Sequence, residues 1–300
     1  GCNSEKMFSG LEVSKSPDFK KHLNKYDVIH LDIQWCLEPA GKAENLISYI
    51  SEKTISELKE CYPGVLKSDI VSLPEALAII NAETGNKFIV IIDEWDVLIR
   101  DEAANKNVQE DYINFLRGMF KGTEPTKYIQ LAYLTGILPM KKEKTQSALN
   151  NFDEFTMLSP SNLAQYVGFT EDEVRGLARE YNQDFDKVKM WYDGYLLRDY
   201  QVYNPRAVVS VMLKGEFKSY WSETASYEAI VPLINMNYDG LKTAIIAMIS
   251  GAEVKVNTGT FKNDTLNIKS KDDVLTYMIH LGYLAYDQTN SMAFVPNEEI

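Results

Sequence analysis

Hydrophobic and polar positions in the first half of the chain follow two alternating patterns. Short runs of β-branched, aromatic and other apolar residues predict strands at 26–33, 87–93, 128–136 and 155–158. Apolar residues at helical spacing predict helices at about 43–61, 74–83 and 108–120, the second of them behind a capping box at 72–75. This β-α-α-β-α-β-β order indicates an α/β fold, in which a mainly parallel sheet carries helices on both faces.

The pattern changes after Ser159 and Pro160. A capping box at 170–173 predicts a helix to about 181, and further helices are predicted at 185–191, 205–213, 227–235, 238–249 and 270–282. Alternation at 251–268 predicts one hairpin, and the segments 283–286 and 292–295 predict a second. A series of helices that is followed by a last helix and a hairpin resembles a winged-helix arrangement. Two domains are therefore expected: a partial α/β domain at 1–160 and a mainly helical, winged-helix-like domain at 161–300.

The strand at 87–93 ends in two adjacent carboxylates, Asp93 and Glu94. Its continuous apolar run is typical of a strand that is buried on both faces, in the middle of a sheet. Because ligands of open α/β sheets collect at the carboxyl ends of such strands, Asp93 is predicted to hold Mg²⁺, directly or through water. Glu94 is the candidate catalytic residue, predicted to orient a water for attack on a phosphoryl group. This is the pattern of a Walker B strand in a P-loop ATPase.

Two further polar residues are candidate cofactor-binding residues. Asp96 lies two positions after Glu94, where it supports the metal shell or caps the following segment. Thr135 ends the next predicted strand, where related ATPases place a polar residue that senses the γ-phosphate. The alternative for Thr135 is that it satisfies the strand end before Gly136. The sequence leaves both alternatives open.

The other half of a P-loop site is absent from the sequence. A P-loop needs the pattern G-x-x-x-x-G-K-[ST], because backbone N–H groups and a lysine cradle the phosphates. The single Gly-Lys pair, Gly41 and Lys42, is followed by Ala43, and Cys36 occupies the position of the first glycine. We therefore expect the chain alone to bind ATP weakly at most.

Charge, apolar runs and cysteine spacing limit which binding partners and which cellular compartment we expect. The net charge of −12 and the pI near 4.9 argue against nonspecific binding to nucleic acid, which needs a basic surface. No apolar run approaches the length of a membrane span, so no membrane partner is expected. The three cysteines, Cys2, Cys36 and Cys61, show no C-x-x-C spacing. They fit a reducing cytoplasm and argue against a zinc site.

Four weaker motifs have competing interpretations. The basic run 141–144 could touch phosphate, although a solvated loop is the simpler interpretation. Arg206 could reach toward a nucleotide or pack at a helix start. The aromatic cluster 191–195 is better explained by helix packing than by a ligand site. Glu253 and Lys255, with Asp239 upstream, match a nuclease-like acidic-plus-lysine pattern that is frequent by chance.

Several segments, in their order and spacing over nearly the whole chain, resemble the bacterial AAA-ATPase-like family. They are Val-Ile-His-Leu-Asp at 28–32, Ile-Ile-Asp-Glu-Trp-Asp at 91–96, Leu-Thr-Gly-Ile-Leu-Pro at 134–139, Gln-Ser-Ala-Leu-Asn-Asn-Phe at 146–152, Trp-Tyr-Asp-Gly-Tyr at 191–195, Tyr-Asn-Pro at 203–205, the segment 277–286 and Val-Pro-Asn-Glu-Glu at 295–299. The resemblance implies a Walker A strand and loop before the segment at 8–11, and a nuclease-like domain beyond 299. The chain is thus expected to be the middle portion of such a protein.

The favoured interpretation is a fragment of an AAA-type ATPase that carries the Walker B half of an ATP·Mg²⁺ site and lacks the P-loop. ATP and Mg²⁺ are expected in an intact parent protein, and no cofactor in this chain alone. The alternative is a degenerate ATPase fold that binds protein or nucleic acid without turnover. Because the predicted helix at 270–282 has no lysine or arginine after Lys271, a protein partner is favoured over duplex DNA. A metal-dependent nuclease is the third interpretation.

Overall fold

The computed structural model describes residues 4–100, 106–137, 139, 149–221, 231–236, 238–262 and 268–300. These residues form two compact units. The first holds the described residues up to 137 together with 149–152, and the second holds residue 139 and the described residues from 153 onward. The boundary at 160/161 expected from the sequence stays a prediction.

The first unit is a mixed α/β structure around a three-stranded parallel sheet of order β1-β2-β3. Its strands are β1 Asp27–Asp32, β2 Phe88–Asp93 and β3 Ile129–Leu134. Its helices are α1 Glu5–Phe8, α2 Phe19–His22, α3 Ile33–Ala40, α4 Leu46–Cys61, α5 Leu73–Thr84, α6 Val97–Arg100, α7 Lys106–Phe120 and α8 Pro125–Tyr128, with 3₁₀ turns at Glu12–Lys15 and Ala43–Asn45. The α/β class and the parallel pairing predicted from the sequence are confirmed.

One face of this sheet is covered and forms the core. Ile29 and Leu31 of β1 alternate into it, and Val90 and Ile92 of β2 are fully buried beside them. A layer of helices covers this face, in which α3 contacts α4, α4 contacts α5, and α5 contacts α7 and α8. Helix α4 presents a buried stripe to this layer because its apolar residues recur at helical spacing.

The opposite face of the sheet carries exposed apolar side chains among the described residues, and helices on this face stay a prediction. Val28, Ile89 and Leu131 are neighbours across the three strands, and so are His30, Ile91 and Tyr133. Val28, Leu131 and Tyr133 are 58%, 56% and 49% exposed, and Ile89 and Ile91 are only partly buried. A strand that reads as buried on both faces thus has one face that the described residues leave open.

The second unit contains two small antiparallel sheets surrounded by helices. Its strands are β4 Phe169–Thr170, β5 Tyr195–Leu197, β6 Tyr200–Tyr203, β7 Val254–Lys255, β8 Ala285–Asp287 and β9 Met292–Phe294, in the sheet orders β4-β6-β5 and β7-β9-β8. Its helices are α9 Glu171–Glu180, α10 Phe185–Tyr192, α11 Pro205–Lys214, α12 Val231–Asn235, α13 Leu241–Ile249 and α14 Lys271–His280, with a 3₁₀ turn at Ser161–Tyr166.

Some sequence predictions in both units need correction. The segment 155–158 is a turn closed by a bridge between Thr156 and Ser159, since the run is too short to pair as a strand there. In the described part of 251–268, the strand β7 pairs with β9, and the predicted local hairpin involves residues 263–267, which lie outside the described residues. The strands β8 and β9 form the predicted last hairpin. Helix α3 and the hairpin β5-β6 were not predicted; α3 carries Pro39, which weakens its helical signal.

The aromatic cluster 191–195 has structural contacts with the end of the chain. The Asn297 side chain donates to the carbonyl of Asp193 at 2.6 Å, and the backbone of Glu299 donates to the carbonyl of Trp191 at 3.2 Å. A Cβ on Gly194 would lie 2.2 Å from the carbonyl oxygen of Pro296. The cluster therefore packs the end of α10 onto the segment 296–300, as the structural interpretation predicted.

No helix among the described residues is long and apolar enough to cross a membrane.

Substitutions on the two faces of the sheet should differ sharply in their cost. Ile92→Ala removes a fully buried side chain and should lower the free energy of unfolding by about 2–5 kcal/mol. Leu131→Ala, on the exposed face, should change it by no more than about 0.5 kcal/mol. Urea denaturation of both variants measures the difference. Equal losses would show that the Leu131 face is covered in solution.

Glu299 should make stability depend on pH. Its carboxylate accepts the N–H groups of Tyr220 and Trp221, both at 3.0 Å, yet burial dominates and raises its pKa. Because the pKa of Glu299 is higher in the folded state, the protonated side chain contributes its full stability at pH values below the unfolded-state pKa. This contribution to stability is lost as the pH rises through the folded-state pKa. Glu299→Gln, which cannot ionise, should therefore gain stability relative to the wild type as the pH rises from about 4.5 to 7.

Urea midpoints at the two pH values provide the measurement, and the exposed neighbour Glu298→Gln is the matched control, which should stay level with the wild type. A Glu299→Gln variant that became less stable relative to the wild type as the pH rose would contradict a raised pKa of Glu299.

Candidate functional site

The carboxyl edge of the sheet in the first unit brings together the polar ends of three strands. Asp32 ends β1 and Asp93 ends β2, and their Cα atoms are partners in the parallel register. Thr135 follows β3 directly, and its N–H donates to the carbonyl of Ile92 at 2.9 Å. The sheet register alone therefore places two carboxylates and a hydroxyl at one edge.

Asp93 is exposed at this edge, and Thr135 is bound to it. The Thr135 hydroxyl donates to Asp93 Oδ1, which also accepts the backbone N–H of Glu94 at 3.0 Å. Asp93 Oδ2 has no hydrogen-bond partner among the described residues. A carboxylate with an accessible oxygen beside a hydroxyl is a donor set that suits Mg²⁺, which prefers oxygen ligands.

Glu94 turns the chain out of the strand. Its φ of +53° lies in the left-handed region, which is uncommon for a residue with a side chain. Its carboxylate forms an ion pair with Arg100, whose Nη2 donates to Glu94 Oε2 at 2.6 Å. The carboxylate is therefore held beside Asp93 and remains partly exposed.

Asp96 is buried and bound on both carboxylate oxygens. Oδ2 accepts Arg100 Nε at 2.9 Å, and Oδ1 accepts the backbone N–H of Ile137 at 3.3 Å. The residue is 1% exposed. These contacts make Asp96 a support for the edge, and both oxygens are already used by protein groups.

Trp95 and Gly136 close the space around Asp96. The N–H of Trp95 donates to the carbonyl of Thr135 at 2.9 Å, and the carbonyl of Trp95 accepts the buried Tyr112 hydroxyl, also at 2.9 Å. Burial, together with the nearby charge of Asp96, raises the pKa of Tyr112, so this hydroxyl remains a donor. A Cβ on Gly136 would lie 2.7 Å from Asp96 Oδ1 and 2.8 Å from the Trp95 ring, so this position has room only for glycine.

The structure thus brings together all four candidate residues, Asp93, Glu94, Asp96 and Thr135, while their roles stay predictions. Two residues at the edge were not assigned to the site from the sequence. Arg100 follows Asp96 at the i,i+4 spacing of a helical acid–base pair, a signal that could have revealed it. The Asp32 carboxylate accepts the N–H of Trp35 at 2.8 Å and caps α3.

The other sequence motifs have their own surroundings or lie outside the described residues. Gly41 ends α3, where its N–H donates to the carbonyls of Leu37 and Glu38, so it caps a helix end as expected of a glycine outside a P-loop. The basic run 141–144 lies outside the described residues. Arg206 is exposed in the first turn of α11, in the second unit.

Among the described residues, the nuclease-like pattern is not part of a cluster of possible metal ligands. Asp239, Glu253 and Lys255 are exposed. Throughout the described parts of the chain, no group of three or more histidine, cysteine, aspartate or glutamate residues is placed to hold a metal ion. Any cation at the carboxyl edge would therefore need ligands beyond the carboxylates, such as water or a phosphate group.

A comparison with known protein families gives a match for the first half of the chain. Residues 2–145 match the model of the AAA-ATPase-like family, described as predicted AAA-ATPases. This confirms the resemblance to that family over the matched residues, which include the whole carboxyl edge.

A curated relative is the uncharacterized protein in the vnfD 5′ region of Azotobacter chroococcum mcd 1, which is 25% identical over 241 residues. The match covers 78% of this chain and 45% of the relative, so the chain spans about half the length of that protein. Among solved structures, the Aeropyrum pernix ORC2 protein (ADPNP-ADP complexes) is similar at 10% identity and a TM-score of 0.28, over 98% of this chain and 80% of the other.

Gly136→Ala should damage the edge because the added Cβ meets Asp96 and Trp95, which are both buried. We expect a loss of about 1–3 kcal/mol in the free energy of unfolding. Gly118→Ala is the matched control: Gly118 is exposed within α7 and a Cβ there meets nothing within 4 Å. That variant should gain about 0.5–1 kcal/mol, since alanine favours the helix. Urea denaturation gives both signs, and a neutral Gly136→Ala would contradict the packing described.

Proposed function

We propose that this chain, whose residues 2–145 match the AAA-ATPase-like family, carries the Walker B half of an ATP·Mg²⁺ site. The observation that supports the proposal is the cluster of Asp93, Glu94 and Thr135 at the carboxyl end of the strand that lies between β1 and β3. Ligands of open α/β sheets bind at such strand ends. The reaction class is hydrolysis of a nucleoside triphosphate by an intact parent protein.

Each residue has a defined role in this proposal. Asp93 would hold Mg²⁺ through its accessible oxygen, directly or through water. Glu94 orients the attacking water and accepts its proton. The Thr135 hydroxyl, which donates to Asp93, would contact the γ-phosphate. Asp96 contributes indirectly, because its oxygens already bind Arg100 and Ile137. Bound Mg²⁺ would supply neutralisation of the phosphate charge.

The fit to the nucleotide is partial. The edge offers the ligands and the water-orienting carboxylate, whereas no segment of the 300 residues has the P-loop pattern that cradles phosphates. The outer side of β3 is unpaired among the described residues, and the apolar face at Val28, Leu131 and Tyr133 is open. Parallel sheets are normally buried on both faces. A further strand and helix from an intact parent would complete both the sheet and the phosphate cradle.

A degenerate binding module is the second candidate function, and the missing P-loop pattern favours it for this chain alone. In the second unit, α14 is followed by the hairpin β8-β9, and β7 pairs with β9. We propose that this part is winged-helix-like. Residues Asp273 to Ile279 of α14 are all buried, so the helix belongs to the core and offers no basic face to DNA. A protein partner therefore suits this unit better than duplex DNA. The exposed Glu253 and Lys255 give no support to a nuclease.

The Walker B roles predict distinct effects for two isosteric substitutions in an intact parent protein. Glu94→Gln should keep Mg·ATP binding but lower kcat by about 10²–10⁴-fold, because an amide cannot accept the proton and orients water poorly. Asp93→Asn should instead raise the Mg²⁺ concentration needed for half-maximal activity. Steady-state ATPase assays with a Mg²⁺ titration measure both. A Glu94→Gln variant with normal turnover would contradict the role of Glu94.

Calorimetry with the 300-residue chain alone tests whether the edge can hold nucleotide without a P-loop. At most weak Mg·ATP binding is expected, since the phosphate cradle is missing. Micromolar affinity would show that other residues of this chain fill the role of the loop.

A further inference from the structure

We propose that Arg100 is a positioning residue for Glu94, and that it acts by bridging Glu94 to the buried Asp96. This inference rests on the proposed function of Glu94 and assigns a role to a residue that the Walker B pattern does not include. Its basis is one guanidinium group that binds two carboxylates through different nitrogens: Nε to Asp96 at 2.9 Å and Nη2 to Glu94 at 2.6 Å.

The two ends of this bridge differ in burial. The Asp96 side chain is 2% exposed, the Arg100 side chain 25% and the Glu94 side chain 38%. Asp96 also accepts the N–H of Ile137 at 3.3 Å, and a Cβ on Gly136 would lie 2.7 Å from its Oδ1, so this oxygen is closely packed. Asp96 is therefore the anchored end, and Glu94 is the end that is held in place.

Among the described residues, the Glu94 carboxylate has no hydrogen-bond partner other than Arg100, so its position depends on this contact. It is the first residue beyond β2, has a left-handed φ of +53°, and its carboxylate is partly exposed. A glutamate in this situation populates several rotamers, whereas orienting a water requires one. With Arg100 bound to Oε2, the carboxylate is fixed and Oε1 is the oxygen left to accept from the attacking water.

The bridge also couples Glu94 to the segment after β3, which carries Thr135 and Ile137. Ile137 lies two residues after Thr135, and its N–H binds the Asp96 oxygen that is not bound to Arg100. A displacement at the end of β3 would therefore reach Glu94 through Asp96 and Arg100. The planar fork of arginine suits this role, since it binds two carboxylates in fixed directions, whereas a lysine ammonium acts as a single point charge.

The first experiment tests the hold in the 300-residue chain, without nucleotide. Hydrogen exchange is measured at the backbone amide of Glu94, which donates to Asp93, and at 95–97 in the wild type, Arg100→Met and Arg100→Lys. We expect exchange to be about tenfold faster in Arg100→Met and intermediate in Arg100→Lys. The matched control is Arg175→Met, which removes an arginine that pairs with Glu171 at i,i+4 in the second unit. The control should leave residues 94–97 unchanged.

The second experiment tests the catalytic consequence in an intact parent protein. Arg100→Met should lower kcat by about 10²-fold with little change in KM for Mg·ATP, because the lost positioning matters in the transition state and not in binding. Arg100→Lys should recover part of the loss, and Arg175→Met should keep the wild-type rate. A merely structural role would change stability or KM without this division and without partial rescue by lysine.

The two experiments separate the possible failures. Unchanged exchange in Arg100→Met, or a normal kcat in that variant, would overturn the role of Arg100 while leaving the Walker B assignment intact. A wild-type parent that hydrolyses no ATP would instead overturn the proposed function, and with it the catalytic part of this inference. In that case accelerated exchange in Arg100→Met would still establish that Arg100 holds Glu94.

Discussion

The parallel pairing of β2 with β1 on one side and β3 on the other is the constraint on which the site depends. Parallel strands end at the same edge, so a register that aligns Asp32 with Asp93 also brings Thr135 to the same place. The hydrogen-bond ladder continues beyond the strands, from Thr135 to Ile92 and from Trp95 to Thr135. The turn that carries Glu94 is therefore an extension of the sheet. Backbone hydrogen bonds hold this turn against the segment that follows β3.

The sequence predicted those parts of the fold that local periodicity controls. The strand at Asp93, the helix with the buried stripe of α4 and the capping box at Thr170 each depend on residues within one segment, and each was found. The site residues Asp93, Glu94 and Thr135 were predicted to cluster because strand ends meet at one edge in any parallel sheet. Their meeting needed only the strand type and the order.

Features that depend on contacts distant in sequence were missed. The contact between Ile137 and Asp96 joins residues on two different strand ends. The role of Arg100 depends on which way the turn at Glu94 bends, and a positive φ at a glutamate cannot be predicted from propensity. The exposure of Leu131 and Tyr133 among the described residues was not predicted, for a related reason. An apolar run shows that a strand is suited to burial on both faces, but it does not show which element of the protein covers each face.

Under the proposed function, the open face of the sheet and the missing phosphate cradle would share one cause. Because Val28, Leu131 and Tyr133 are exposed, their apolar surface contributes little burial energy, and covering it would add stability. A phosphate cradle, in turn, needs backbone N–H groups at a loop that leads into a helix. A strand added beside β3, followed by a loop and by a helix over the open face, would meet both requirements with one continuous segment. The same addition would bring its loop to the edge where Asp93 and Thr135 lie, and there the carboxylate that Arg100 holds would face the phosphate it is proposed to serve.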